Sequence, residues 1–202
     1  MSMRPEEVAI VDWNEGRWRN TPVDITKTET GALAAEAAEG SDAWRKTSYG
    51  FVRDSEHALL RPFAVDSAVE VQIVVNMSAQ FEQAGVLIRL DSNRWIKAGL
   101  EYVDGALRLS TVVTDDYSDW STAAVPQWLG RRATVRASWA DETITVRARV
   151  DDEPFELARV APWKAHTGAS VVAGPYLCAP TSAGFRAEFI RWSVGSRDDS
   201  LH

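Results

Sequence analysis

Apolar and polar residues alternate along most of the chain with a period of two, the mark of half-buried β-strands rather than helices. In "AVEVQIVVNM", Val69, Val71, Ile73, Val75 and Met77 fall on one side, against Glu70, Gln72, Val74 and Asn76. "AGVLIRLD" sets Val86, Ile88 and Leu90 against Leu87, Arg89 and Asp91. "ALRLSTVVT" sets Leu107, Leu109, Thr111 and Val113 against Arg108, Ser110, Val112 and Thr114. "RATVRASW" and "TITVRARV" direct Val135, Ala137, Trp139, Ile144, Val146, Ala148 and Val150 inward and Arg136, Arg147 and Arg149 outward. Shorter strands are expected near "FELARV", "GASVVAG" and "GFRAEFIRWSVG". The alanine-rich "TGALAAEAAEGSD" (30 to 42) lacks a sustained apolar face and reads as a short strand or turn, with a minor helical alternative. Many turn-punctuated strands with almost no helix predict an all-β, antiparallel two-sheet β-sandwich, with residues 1–202 as a single domain and a polar, frayed tail from about 195.

"NRWIKAGLEYVDG" (93 to 105) carries the least ordinary face. Ile96, Ala98, Leu100 and Tyr102 suit a core; Trp95, Lys97, Gly99 and Glu101 oppose them with an aromatic, a cation, a glycine and a carboxylate. Asp104-Gly105 predicts a two-residue type I′ hairpin, which needs positive φ at both positions. Counting back pairs Tyr102 with Leu107, Glu101 with Arg108, Gly99 with Ser110, Lys97 with Val112 and Trp95 with Thr114. On the other side, an odd-length loop such as Ser92-Asn93-Arg94 keeps the core residues together. It places Arg89 opposite Lys97, Leu87 opposite Gly99 and Gly85 opposite Glu101. Two facing cations call for a carboxylate or ligand between them, and Gln72 joins the row if strand 69–77 is the next neighbour.

Composition narrows the functional classes. The net charge of −7 and the lack of any Lys/Arg run argue against nucleic acid as a partner. No stretch approaches the ~18 apolar residues of a membrane helix, and "MSMRPEEVAIVDW" has no secretory h-region, so no membrane partner is expected. The single cysteine, Cys178, suits a reducing compartment and a cytoplasmic location, and reads as a small buried residue. His57, His166 and His202 are isolated, and no P-loop, GxSxG, CxxC or HExxH motif occurs. No cofactor and no metal are expected. Nine tryptophans are spread along the chain; most suit packing, with two or three left for a functional surface.

Candidate chemistry concentrates in three stretches. The face bearing Arg89, Lys97, Glu101 and Arg108 offers charge-assisted hydrogen bonds to hydroxyls or carboxylates; as a solvated face, it would hold only a Glu101–Arg108 ion pair worth ~0–1 kcal/mol. Glycines 85 and 99 within it mark close approach of a ligand or backbone. "TDDYSDWS" (114 to 121) reads as a loop with Asp115, Asp116, Asp119, Tyr117 and Trp120, without calcium-loop spacing. "WRKTSYGFVRD" (44 to 54) interleaves Trp44, Tyr49 and Phe51 with charge. A glycosidase needs two facing carboxyls, and Glu101 would require Glu70 or an aspartate of 115–119 as its partner.

The blocks "AWRKTSYGFVRD" (43 to 54), "QAGVLIRLDSNRWIKAGLEYVDGALRLSTVVTDDYSDWS" (83 to 121) and, more loosely, "VVAGPYLCAPTSAGFRAEFIRW" (171 to 192) resemble a family of the concanavalin A-like lectin/glucanase superfamily. That family is labelled a domain of unknown function or named after the yeast regulation-of-enolase protein. The resemblance implies a jelly-roll sandwich. It maps motif positions onto Trp44, Arg45, Lys46, Tyr49, Gly50, Gln83, Arg89, Trp95, Lys97, Glu101, Tyr102, Asp119 and Trp120, and implies no settled activity. The acid pattern of the superfamily's glucanases and the calcium–manganese signatures of its legume lectins are absent.

The leading expectation is a non-catalytic domain that binds a carbohydrate or another polyhydroxylated or acidic small molecule on a concave polar face. Arg89, Lys97, Glu101 and Arg108 would line it, with Trp44, Tyr49, Trp95, Trp120 and Asp119 around them. One alternative is a regulatory protein with a protein partner, acting on a metabolic enzyme. Another is a glycan-active enzyme using Glu101.

Overall fold

A computed structural model describes residues 8–165 and 168–201; the first seven residues, His166, Thr167 and His202 lie outside it. In chain order its strands are β1 (Ala9–Ile10), β2 (Arg17–Arg19), β3 (Asp24–Lys27), β4 (Leu33–Glu36), β5 (Ala43–Arg45), β6 (Val52–Asp54), β7 (His57–Pro62), β8 (Ser67–Val74) and β9 (Gln83–Arg89). They continue with β10 (Arg94–Val103), β11 (Ala106–Asp115), β12 (Tyr117–Ala124), β13 (Arg132–Ala140), β14 (Thr143–Val150), β15 (Glu156–Pro162), β16 (Val172–Cys178) and β17 (Arg186–Ser196). One sheet runs β15-β14-β13-β8-β17-β4-β3, with β1 on β17; the other runs β12-β11-β10-β9-β16-β7-β2. All ladders within both sheets are antiparallel, and the sheets stack as a sandwich, as the alternation predicts. The alanine-rich stretch supplies β4, not a helix.

The inward rows meet in one core: Val69, Val71, Ile73, Val86, Ile88, Ile96, Leu100, Val135, Ile144 and Val146 are all buried in it. Asp104 (φ 51°) and Gly105 (φ 79°) make the expected turn, and the β10–β11 register is the predicted one throughout. The β9–β10 register differs by two residues. Arg89 lies opposite Trp95, Leu87 opposite Lys97, Gly85 opposite Gly99 and Gln83 opposite Glu101. The turn falls one residue earlier than expected, at Asp91-Ser92-Asn93: the Leu90 amide donates to the Arg94 carbonyl (3.0 Å), and Asp91 Oδ1 accepts from the amides of Asn93 (2.7 Å) and Arg94 (2.9 Å). An even slip preserves every face, so the core assignment stands while the facing cations disappear. Strand β8 belongs to the opposite sheet, so Gln72 is no part of that row.

Gly85 and Gly99 therefore face each other, and their role is close backbone approach. A Cβ on Gly85 would run into the Ala98 carbonyl oxygen, and one on Gly99 into that of Ala84. The outer face of the eight-stranded sheet is also less open than its arginines suggest. Arg136 is buried, bonded to Glu70 (2.7 Å) and to Asp198 (2.7 Å), which also pairs with Arg147 (3.2 Å). The polar segment after β17 lies across that face, with Arg147 donating to the carbonyls of Ser200 and Leu201. Gly99→Ala should destabilise the protein by about 1–3 kcal/mol through overpacking. In urea unfolding this appears as a lower midpoint at unchanged slope.

Candidate functional site

β9 and β10 alternate in sequence but are buried almost along their whole length. The cause is a segment outside both sheets. The hairpin β5–β6 lies over the outer face of the seven-stranded sheet and closes a second apolar cluster of Ala43, Trp44, Leu60, Leu87, Trp95, Val112, Tyr176 and Cys178. Its turn takes left-handed backbone at Lys46, Ser48 and Gly50. Trp44 Nε1 donates to the Thr47 carbonyl (2.9 Å), and the Arg45 amide donates to Ser118 Oγ (2.9 Å) on β12.

Both ends of the hairpin are fixed by charge. Before β5, Asp42 Oδ1 accepts from Lys97 Nζ at 2.9 Å, where the lysine side chain is only 5% exposed. At the end of β6, Asp54 binds Arg89 (2.8 Å) and Arg19 (2.6 Å), and the wholly buried Glu56 bonds the same two arginines (3.2 and 2.9 Å). Burial pulls the Lys97 ammonium down, but Asp42, with Glu101 behind it, outweighs this and raises its pKa. Burial pushes the Glu56 carboxyl up, with Arg89 and Arg19 opposing.

Between hairpin and sheet lies a cleft of about 290 Å³, at the small end of ligand-site volumes. Its floor is Lys97, Glu101, Gln83, Asp42 and Val112; its walls are Trp44, Tyr49, Phe51 and Trp120, with Arg53, Phe81, Pro180 and Thr181 at the edges. Trp44 meets Trp120 edge-on (6.3 Å, 89°), Tyr49 packs against Trp44 (5.6 Å, 65°), and Phe51 stacks on Tyr49 (5.4 Å, 12°). Glu101 Oε1 accepts from Gln83 Nε2 (3.4 Å) and Oε2 from Trp120 Nε1 (3.2 Å), which also donates to Ser110 Oγ (2.8 Å). Burial raises the Glu101 pKa, opposed by Lys97.

Of the residues singled out in the sequence, Lys97, Glu101, Trp44, Tyr49 and Trp120 line the cleft. Four do not. Arg89 is spent on Asp54 and Glu56, and Trp95 is wholly buried beneath the hairpin. Arg108 turns to Thr122 Oγ1 at 3.5 Å rather than to Glu101. The stretch 114–121 is the β11–β12 hairpin, turning at Asp116 (φ 60°), not a loop; Asp119 therefore points away from the cleft side chains and binds Arg159 (2.7 Å). Glu70 and Asp116 are likewise bonded elsewhere, to Arg136 and Arg45, so the cleft's second acid is Asp42. Asp42, Phe81, Arg53 and Thr181 join the cleft from loops and the hairpin, where no strand alternation points to them. The available signal was the buried cation Lys97, which demands a carboxylate from outside its own sheet. Trp44 and Trp120 are the tryptophans at the cleft; Cys178 is buried and its thiol pushed well up by burial. His57 is structural, its Nε2 accepting from the Ala38 amide (3.0 Å) while Nδ1 faces the Asn20 carbonyl (2.7 Å).

A family model described as a protein of unknown function (DUF1349) matches residues 18–197. The chain belongs to this family. Within reach of it is "Regulation of enolase protein 1" of Saccharomyces cerevisiae, 34% identical over 186 residues, or 90% of this chain and 89% of that protein. A crystal structure of a functionally unknown Saccharomyces cerevisiae protein superposes with a TM-score of 0.85 at 31% identity, covering 93% of this chain and all of that one (100%). The xylan β-1,4-xylosidase of Bacillus halodurans C-125 superposes at 0.70 and 13% identity, over 97% of this chain but only 40% of the enzyme; that likeness shows the fold alone.

Replacing Arg89 by Met strands Glu56 and Asp54 with Arg19 alone and should cost about 3 kcal/mol, read by urea unfolding with tryptophan fluorescence. Glu101→Gln tests the buried carboxyl. Because the folded pKa lies above the unfolded one, the native state holds a proton between the two that the unfolded chain has released. The stability of the protein relative to Glu101→Gln should therefore be greatest below about pH 4.3 and fall as pH rises through that window, as checked by unfolding titrations of both proteins.

Proposed function

We propose that this protein is a non-catalytic binding domain for a small carbohydrate or another polyhydroxylated or acidic metabolite, held in the cleft under the β5–β6 hairpin. The observation that carries the reading is the pairing of a buried polar floor with aromatic walls. Lys97, Gln83, Asp42 and Glu101 offer donors and acceptors at the bottom, while Trp44, Tyr49, Phe51 and Trp120 supply ring faces. Polar groups at the floor fix the orientation of a ligand, and aromatic faces cover its C–H surface. Glu101 would accept from ligand hydroxyls and the Lys97 ammonium would donate alongside its bond to Asp42. The sandwich shape shared with a xylosidase is compatible with this reading. A cytoplasmic location, in keeping with one buried cysteine, is part of the same proposal.

A second reading, regulation of a metabolic enzyme by direct contact, is supported by the name of the yeast relative and by the exposed Tyr49, Phe51, Val52 and Tyr117 beside the cleft mouth. Adding the protein to purified enolase and following turnover would separate this from ligand binding.

Calorimetric titration with a panel of mono- and oligosaccharides and sugar acids tests the primary reading. Saturable binding is expected for at least one compound, weakened about tenfold or more (about 1.4 kcal/mol) by Trp120→Ala and by Glu101→Gln. Heats that stay flat across the panel would remove the proposal.

A further inference from the structure

Building on the binding reading, we infer that the cleft selects an uncharged, hydroxyl-rich ring and discriminates against the same ring bearing a carboxylate. The reason is the placement of charge. The cation at the floor, Lys97, is already paired with Asp42 at 2.9 Å. The next charged group inward is Glu101, whose two oxygens accept from Gln83 and Trp120 and keep lone pairs for hydroxyl donors. An entering carboxylate would leave water, meet Glu101 and Asp42, and find Lys97 shared.

Among the described residues, the other cations around the floor are engaged elsewhere: Arg108, cross-strand from Glu101, turns to Thr122 Oγ1 (3.5 Å), and Lys46 lies over the Tyr117 ring (4.7 Å). Arg89 and Arg19 hold Asp54 and Glu56, and Arg45 reaches Asp116 and the carbonyls at its end of the hairpin. Arg53, at the rim, is exposed and packs over the Phe51 ring at 5.2 Å. A surface cation of that kind is screened by solvent and salt, and it adds little to an anion held there. A hydroxyl-bearing ring meets none of these penalties. Its O–H groups donate to Glu101 and accept from Lys97 and Gln83, and its C–H faces rest on Trp44 and Trp120.

The test compares matched pairs, glucose with glucuronate and galactose with galacturonate, by calorimetry at about pH 8, where unshifted carboxyls are ionised, in physiological salt. The expected result is binding of a neutral sugar with its uronate at least about tenfold weaker, and a narrowed gap in Glu101→Gln. Circular dichroism and the unfolding midpoint of Glu101→Gln establish that the variant is folded. A uronate that binds as tightly as its neutral partner, or more tightly, overturns the selectivity while leaving the binding reading intact. An absence of binding by every member of both pairs also overturns the selectivity, while the binding reading falls only if the wider panel of sugars stays flat as well.

Discussion

Two aspartates pinned by buried sheet cations hold one wall of the cleft in place. Asp42 at one end of the β5–β6 hairpin is drawn to Lys97, and Asp54 at the other to Arg89, with Glu56 and Arg19 completing the second clamp. Neither pair is a strong source of stability in itself, since burying the charges offsets most of their attraction. Their value is positional. A short, two-stranded hairpin with three left-handed residues in its turn would not hold one orientation on its own. Clamped at both ends, it becomes a wall.

That wall changes the meaning of the sheet beneath it. Strands that alternate in sequence are expected to have one wet side, yet here both sides of β9 and β10 are covered. One side faces the main core and the other a smaller apolar cluster whose largest members are Trp95, Trp44 and Tyr176. The cleft opens where that second cluster gives way to Lys97, Gln83 and Glu101. Its polar floor is therefore largely buried, and hydrogen bonds made there act in a surrounding of lower dielectric than bulk water.

Much of this was legible in the chain. Period-two alternation carries the sandwich, and the Asp104-Gly105 turn carries the β10–β11 register, because each is a local rule with a single physical cause. The β9–β10 register was not legible, since it turns on the Asp91 side chain capping two amides of its own loop. Parity survives that slip, so the alternation puts Lys97 and Glu101 on the correct face while the neighbour of Arg89 is Trp95 rather than Lys97. Trp95 and Arg89 read as surface residues for want of the hairpin above them, a contact between segments 35 to 55 residues apart that no local pattern reveals. Asp42 was hidden for the same reason.

The hairpin segment is contiguous, lies outside both sheets, and contributes Asp42, Trp44, Tyr49, Phe51 and Arg53 to the cleft. The sandwich core draws nothing from it, because its contacts with the sheet run through the separate, smaller cluster. The cleft wall is in this sense a cassette. Substitutions within residues 43 to 53 would therefore reshape the pocket without touching the sandwich core, so long as the flanking aspartates still find their lysine and arginine on the sheet.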